Sequence, residues 1–278
     1  MRISIFTIIF LILFNHNVLA SGSKIKIVTS ITPLASIIAM LLNDNAEIVA
    51  IANNNNCPHH YNLKPSDLQK VKDADLVLYI DDDFDSFASK LMNNHSKNVI
   101  KISDLAKIKF ISNNRHIWLD LERVKIMLEQ LSTILARQFP NLDSEIYQNL
   151  ATSEKQIDNL IETKEKLLAP LKDVILLSDS LEYLFDEQKY KVQKLYSGNQ
   201  KSLKYIQNLE KLLDRSASKC LVLGTEEDFK IYKNFKANIV KVESENWAVD
   251  QITSSLFFDQ YLKIINQIAK CNRVLNDI

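Results

Sequence analysis

Residues 143–168, DSEIYQNLATSEKQIDNLIETKEKLL, decide the architecture. Ile146, Leu150, Ile157, Leu160, Ile161 and Leu168 recur there at three-to-four spacing, no glycine interrupts them, and Pro170 follows. Side chains three and four apart share a helix face, and a proline cannot continue a helix, so the stretch predicts one long helix that stops before Pro170. At about 1.5 Å per residue, some 25 residues reach ~38 Å, enough to run the height of a two-lobed protein.

On both sides of this stretch, strand patterns alternate with helix patterns. Ahead of it, strands are expected at 24–28, 46–52, 75–80 and 98–102, and helices at 34–42, 66–74, 84–92 and 120–139. Beyond it, strands are expected at 174–177, 191–196, 220–224 and 238–242, and helices at 181–187, 202–213, 226–235 and 251–270. Such alternation predicts an α/β protein whose sheet is mostly parallel and flanked by helices. No repeat of solenoid length and no low-complexity linker is present; the run Asn53 to Asn56 reads as a local loop.

Composition narrows the function. Basic and acidic residues number 34 each, for a net charge of zero, which argues against nucleic acid or an anionic membrane as the main partner. With only three glycines, glycine-based motifs are hard to see. Residues 1–20 have the form of a signal peptide: Arg2, an apolar run from Ile3 to Phe14, and Val18-Leu19-Ala20 as a small-residue cleavage site. The apolar run is shorter than the ~20 residues that span a bilayer, and no cysteine follows it for a lipid anchor. A mature chain from Ser21, exported to the periplasm, is expected; its length suits one large domain or two lobes.

Chemistry concentrates in Cys57-Pro58-His59-His60-Tyr61-Asn62-Leu63-Lys64-Pro65-Ser66-Asp67. The stretch follows a strand and precedes a helix for which Ser66 is the expected N-cap and Asp67 the first-turn charge. Its two prolines stiffen a loop at a strand end, where α/β proteins bind ligands, and neutral imidazole is the commonest ligand of divalent transition metals. A histidine pair on a loop is also common on plain surfaces. A second stretch adds weight: Arg115-His116-Ile117-Trp118-Leu119-Asp120.

Together, Pro58-His59-His60-Tyr61…Pro65-Ser66-Asp67 and His116-Ile117-Trp118-Leu119 resemble the metal-binding receptors of bacterial zinc and manganese ABC importers. The resemblance implies two α/β lobes joined by one backbone helix: residues 21–140, a linking helix at 141–169, and residues 170–278. It further implies an ion held in the interlobe cleft by donors from four strand ends. His59 and His116 match the two donors of the first lobe, and His60 matches a variable position, a bystander or gate. His95 is expected to lie in a polar turn and to be solvated, and His16 leaves with the signal peptide.

The second lobe departs from the family pattern. Ser178 stands where the family has its third histidine, in Ser178-Asp179-Ser180-Leu181-Glu182-Tyr183-Leu184. Gly224 stands where manganese receptors place a glutamate, with Glu226 and Glu227 just beyond. Glu243 matches the late aspartate and keeps a carboxylate. Asp179, Glu226 and Cys57 are candidates for the missing donor, although Asp179 and Glu226 equally suit helix first turns. The zinc branch also places a disulfide where Cys220 and Cys271 stand; two buried thiols is the other reading. Cys57 is left as a free thiol, an intermolecular link or a ligand that would favour zinc.

The expected function is a monomeric, non-enzymatic periplasmic receptor that captures a divalent ion, zinc ahead of manganese, and hands it to a cognate ABC permease in the inner membrane. Two alternatives stay open. One is a receptor-like scaffold whose degenerate site now serves interaction or adhesion. The other is a zinc hydrolase, for which no His-Glu-x-x-His or comparable pair is present.

Overall fold

The computed structural model describes residues 24–53, 61–196 and 201–272. The signal-peptide reading of residues 1–20 therefore lies outside the described residues. Among the described residues, the strands form two four-stranded, all-parallel sheets. The first contains β1 (Ile25–Ile31), β2 (Ala46–Ala52), β3 (Leu76–Tyr79) and β4 (Val99–Lys101) in the order β2-β1-β3-β4. The second contains β5 (Asp173–Leu176), β6 (Lys191–Lys194), β7 (Cys220–Leu223) and β8 (Asn238–Lys241) in the order β6-β5-β7-β8. The two orders are the same, and each sheet switches winding direction beside its first strand. Parallel sheets of this kind bind ligands outside the carboxyl ends of the strands at that switch. Here those ends are Ser30 to Thr32 and Ile80-Asp81 in the first sheet, and Ser178 and Gly224 in the second.

Helices cover the sheets. The first half holds α1 (Thr32–Leu42), α2 (Pro65–Asp73), α3 (Ser89–His95) and α4 (Leu121–Gln138). Every residue of α1 is buried, as its nearly all-apolar sequence requires of a central helix. Next comes α5 (Asp143–Leu168), whose 26 residues coincide with the predicted helix. The second half adds α6 (Leu203–Arg215), the single turn α7 (Phe229–Tyr232) and α8 (Leu256–Ala269). Helix α5 packs against α1, α4 and α8 and so touches both halves. Asn149 Nδ2 donates to Leu41 O (2.9 Å) and Ser153 Oγ to Met40 O (3.3 Å), pinning α5 to the end of α1. One continuous apolar core runs from Ile27 and Leu78 through Trp118 and Leu160 to Leu176 and Tyr261, so both sheets share it.

Cys220, at the start of β7, and Cys271, just past α8, form a disulfide with their Cα atoms 5.4 Å apart. It closes a separation of 51 residues. On the chain-entropy account such a loop is worth about 4 kcal/mol.

Several local expectations are corrected. The cap of α2 is Lys64, not Ser66: Pro65 takes the first helical position, and the Asp67 side chain reaches back to the Lys64 N–H (2.9 Å). Proline favours that position and pushes the residue before it to extended backbone, which shifts the cap upstream. The helix expected at 84–92 begins only at Ser89. Asp81 Oδ1 accepts from Asp83 N (3.0 Å) and Phe84 N (2.7 Å), and Asp85 accepts from Ile80 N, so carboxylates hold these residues in turns. His95 ends α3 instead of lying in a turn, and it is exposed as expected. Residues 179–184 form a 3-10 turn, and Glu226 lies in a turn ahead of the shortened α7. The last helix begins at Leu256, five residues later than expected.

Candidate metal centre

The site is built around His116, which precedes a 3-10 turn, Ile117–Leu119, and is 6% exposed. Phe84 stands edge-on to its ring at 5.3 Å and Trp118 at 5.1 Å. Three hydrogen bonds fix its tautomer. The His116 backbone N–H, which can only donate, meets Asn114 Oδ1 at 3.0 Å. Asn114 Nδ2 donates in turn to Asp179 O (2.7 Å) and Glu182 Oε2 (3.2 Å), so the amide has one orientation. Asn114 Oδ1 also lies 2.8 Å from His116 Nδ1. That ring nitrogen therefore carries a proton, so a neutral imidazole presents its lone pair at Nε2, whereas a charged one would pair Nε2–H with Glu245.

Nε2 is buried and makes no hydrogen bond. Glu245 Oε1 lies 3.4 Å from it, on a residue only 7% exposed. A neutral imidazole there would set its lone pair against the carboxylate, an arrangement that a cation bound between them would relieve. Neutral imidazole oriented through its other nitrogen is also how metal-binding histidines are held.

Glu245 is positioned by its neighbours. Asn246 Oδ1 accepts from Thr32 N (3.1 Å), and Asn246 Nδ2 donates to Ala52 O (2.9 Å). Trp118 Nε1 donates to Ser244 O (3.0 Å). The loop after β8 is thus hooked onto the ends of β1 and β2. Ala52, the last residue of β2, precedes the chain that carries the first histidine motif. Cys57, His59 and His60 themselves lie outside the described residues. On the far side of that gap, Tyr61 OH donates to Asp67 Oδ2 (3.0 Å) and its ring packs on Phe87. Burial raises the Tyr61 hydroxyl to about 12, with Asp67 adding to the effect. Burial also opposes the Asp67 charge, but Lys64 N–H, Lys70 and Tyr61 outweigh it and hold the carboxyl below its usual range.

The second-half candidates separate clearly. Glu243 turns outward and pairs with Lys263 (2.9 Å), both side chains well exposed. It does not meet His116; Glu245, two residues on, does. Asp179 is exposed, and its backbone oxygen serves Asn114. Glu227 is committed to Tyr232 OH (2.6 Å) and Lys201 Nζ (2.7 Å). Glu226 keeps access to solvent on one side while protein crowds the other. Desolvation raises its carboxyl pKa, nearby Glu245 and Glu227 add to the rise, and a hydrogen bond from Ser178 opposes it. Among the described residues, no three His, Cys, Asp or Glu side chains already surround a common point.

Sequence reasoning missed Glu245 and Asn114. In Glu243-Ser244-Glu245 nothing in the spacing says which carboxylate faces inward, because the chain turns after β8. Asn114, two residues ahead of His116, could have been suspected from the need for a second partner to orient the imidazole.

Comparison with known proteins bears on the family and the fold. A profile of the ZnuA family, described as zinc-uptake complex component A periplasmic, matches residues 27–271. An uncharacterized protein of Rickettsia prowazekii, RP014, is 47% identical over 270 residues, covering 96% of this chain and 89% of its own. The high-affinity zinc uptake system protein ZnuA of Haemophilus influenzae is 38% identical over 91 residues, 32% of this chain and 27% of its own. The periplasmic zinc binding protein TroA of Treponema pallidum shares the fold, with a TM-score of 0.73 at 14% identity over 90% of this chain and all of TroA's. With two parallel sheets, one long helix between them and a matching profile over nearly its whole length, the chain belongs to the ZnuA family of periplasmic metal-binding solute receptors.

Proposed function

We propose that this protein captures a single zinc ion between its two sheets and passes it to a cognate ABC permease in the inner membrane. The observation that carries the reading is the buried, unbonded Nε2 of His116 opposite Glu245. His59, the first donor of the sequence motif, would supply the second imidazole. Two imidazoles with carboxylates suit zinc, which also outranks manganese in intrinsic affinity for such sites. Residues 1–20 would export the chain to the periplasm, where it acts as a monomer, and no helix among the described residues is long and apolar enough to cross a membrane. Because the donors must be deprotonated, affinity falls as the medium becomes acidic.

The test is a zinc and manganese titration of metal-stripped protein starting at Ser21, beside a His59→Ala/His116→Ala double variant. Tight one-to-one zinc binding that the double variant lacks is the expected result. Binding no tighter than the variant's, for either ion, would overturn the receptor reading. It would favour the degenerate scaffold, the reading kept open by Ser178 and Gly224. A hydrolase would in addition turn over generic ester or peptide substrates.

A further inference from the structure

A cleft of about 500 Å³ lies between the start of α4, the later turns of α5 and the stretch from Glu182 to Tyr190. His116 and Glu245 do not line it, so it is distinct from the metal centre. Its volume falls within the range of small-molecule sites. Leu121, Ile161, Phe185 and Tyr190 give it apolar walls, with the Phe185 and Tyr190 rings edge to face at 5.6 Å. Tyr183 adds a third aromatic ring, its far face covered by Arg123 at 5.0 Å.

Most charges around the cleft are already matched. Arg123 pairs with Asp120, and Lys189 with Glu165. Lys194 pairs with Glu182 (3.1 Å) and Glu187 (2.7 Å). Lys164 is the exception among the cations: it is half-buried in the wall, and among the described residues it has no ion pair and no hydrogen bond. Burial lowers its pKa and Lys189 adds to the fall, which Asp120, Asp186 and Glu165 oppose without cancelling. An ammonium partly stripped of water and left unpaired costs free energy that an incoming anion recovers. Two lining carboxylates, Glu122 and Asp186, likewise pair with no cation among the described residues. Asp186 accepts only from Gln188 N (2.9 Å) and is close enough to act on the charge of Lys164. A plain anion would meet repulsion from Asp186 and Glu122, and a plain cation would meet it from Lys164. A molecule carrying both charges side by side satisfies all three.

We propose that this cleft is a second binding site, for a free α-amino acid with an apolar side chain: the carboxylate pairs with Lys164, the ammonium with Asp186, and the side chain packs against Phe185 and Tyr190. The site does not depend on the receptor reading, and metal-stripped protein tests it without an ion that could itself bind the ligand. The probe is L-phenylalanine, titrated by calorimetry beside 3-phenylpropionate, which lacks the ammonium, and phenethylamine, which lacks the carboxylate. Saturable one-to-one binding of L-phenylalanine with a Kd of about 1 mM or tighter is expected. Each of the two fragments should bind at least about 5-fold more weakly, the order of one exposed ion pair or more. Lys164→Met should weaken L-phenylalanine binding by about 10-fold or more, because it removes a charged partner from a partly dry site. Asp186→Asn, at an exposed position, should cost about 2- to 5-fold.

Absence of saturable L-phenylalanine binding would overturn the proposal. So would a fragment that binds as tightly as the amino acid, or a Lys164→Met protein that keeps the parent's affinity. His116→Ala should bind L-phenylalanine like the parent; loss of binding there would place the amino acid at the metal centre and refute the cleft. Circular dichroism on each variant separates lost affinity from lost fold, and Lys164→Arg, which keeps the charge, should retain binding that Lys164→Met loses.

Discussion

The tautomer of His116 is set by a single amide. Asn114 Oδ1 accepts from both the backbone and the ring of His116, so Asn114→Ala would leave Nδ1 without its partner and free the imidazole to turn. A zinc affinity lower by 10- to 100-fold is expected, measured by competition with a chromophoric chelator, against a much smaller change in thermal stability. Unchanged affinity would mean that the amide does not orient the ligand. Asp85 offers a second test. It is fully buried, and desolvation raises its carboxyl to about 7, Asp81 adding to the rise and the Ile80 N–H opposing it. A carboxyl raised on folding holds its proton more tightly in the folded state than in the unfolded one. Its contribution is therefore complete below about pH 4 and is lost as pH climbs toward 7. Urea unfolding of metal-stripped protein between pH 4 and 8 should show stability falling by an amount on the order of a few kcal/mol, and Asp85→Asn should flatten that slope. Parallel slopes in the two proteins would refute the assignment.

At the scale of elements, what was legible followed from local rules. Helix α5 agrees with its sequence reading end to end because period, absence of glycine and Pro170 all act within the segment. The parallel strands were legible as short apolar runs for the same reason. The turns of residues 82–88 were not, because Asp81 and Asp85 spend their carboxylates on backbone N–H groups, and composition alone cannot tell that use from a helix start. Glu243 and Glu245 could not be ranked, since the choice is made by Asn246 and Trp118 bonding across more than 120 residues of chain. The anchor of α2 shows the reverse case, a family motif whose polar members serve structure. Tyr61 and Asp67 bond each other and hold the start of α2, so Asp67→Ala should lose about 1 kcal/mol of stability in urea melts, as removal of a helix cap does. Zinc affinity should fall with it if Tyr61 and Asp67, both members of the sequence motif, serve the site as well as α2. A variant destabilised but with full affinity would show that the anchor serves α2 alone.

At the scale of the whole molecule, the two halves share one apolar core. Flexible two-lobed receptors separate their lobes by short linkers, whereas here one apolar core passes from the first sheet to the second along α5. Polar bonds cross the same boundary. Tyr261 OH donates to Leu119 O (2.9 Å), and Tyr183 OH donates to Asn114 O (2.9 Å) and accepts from Ile111 N (2.8 Å). Breaking the halves apart would expose Trp118 and Tyr261, both buried to within 1% of full coverage, at a cost of roughly 1.5–3 kcal/mol for each large side chain. Neither half can then unfold while the other stays intact, although each has its own sheet. Calorimetry of metal-stripped protein should accordingly give one transition whose calorimetric and van't Hoff enthalpies agree. Reducing the Cys220–Cys271 disulfide should lower the midpoint of that one transition without splitting it, by up to about 4 kcal/mol of stability. Two resolved transitions would mean that the shared core does not couple the sheets, and ion capture would then have to be described as closure of independent lobes. One transition would show that the shared core couples the two sheets in unfolding.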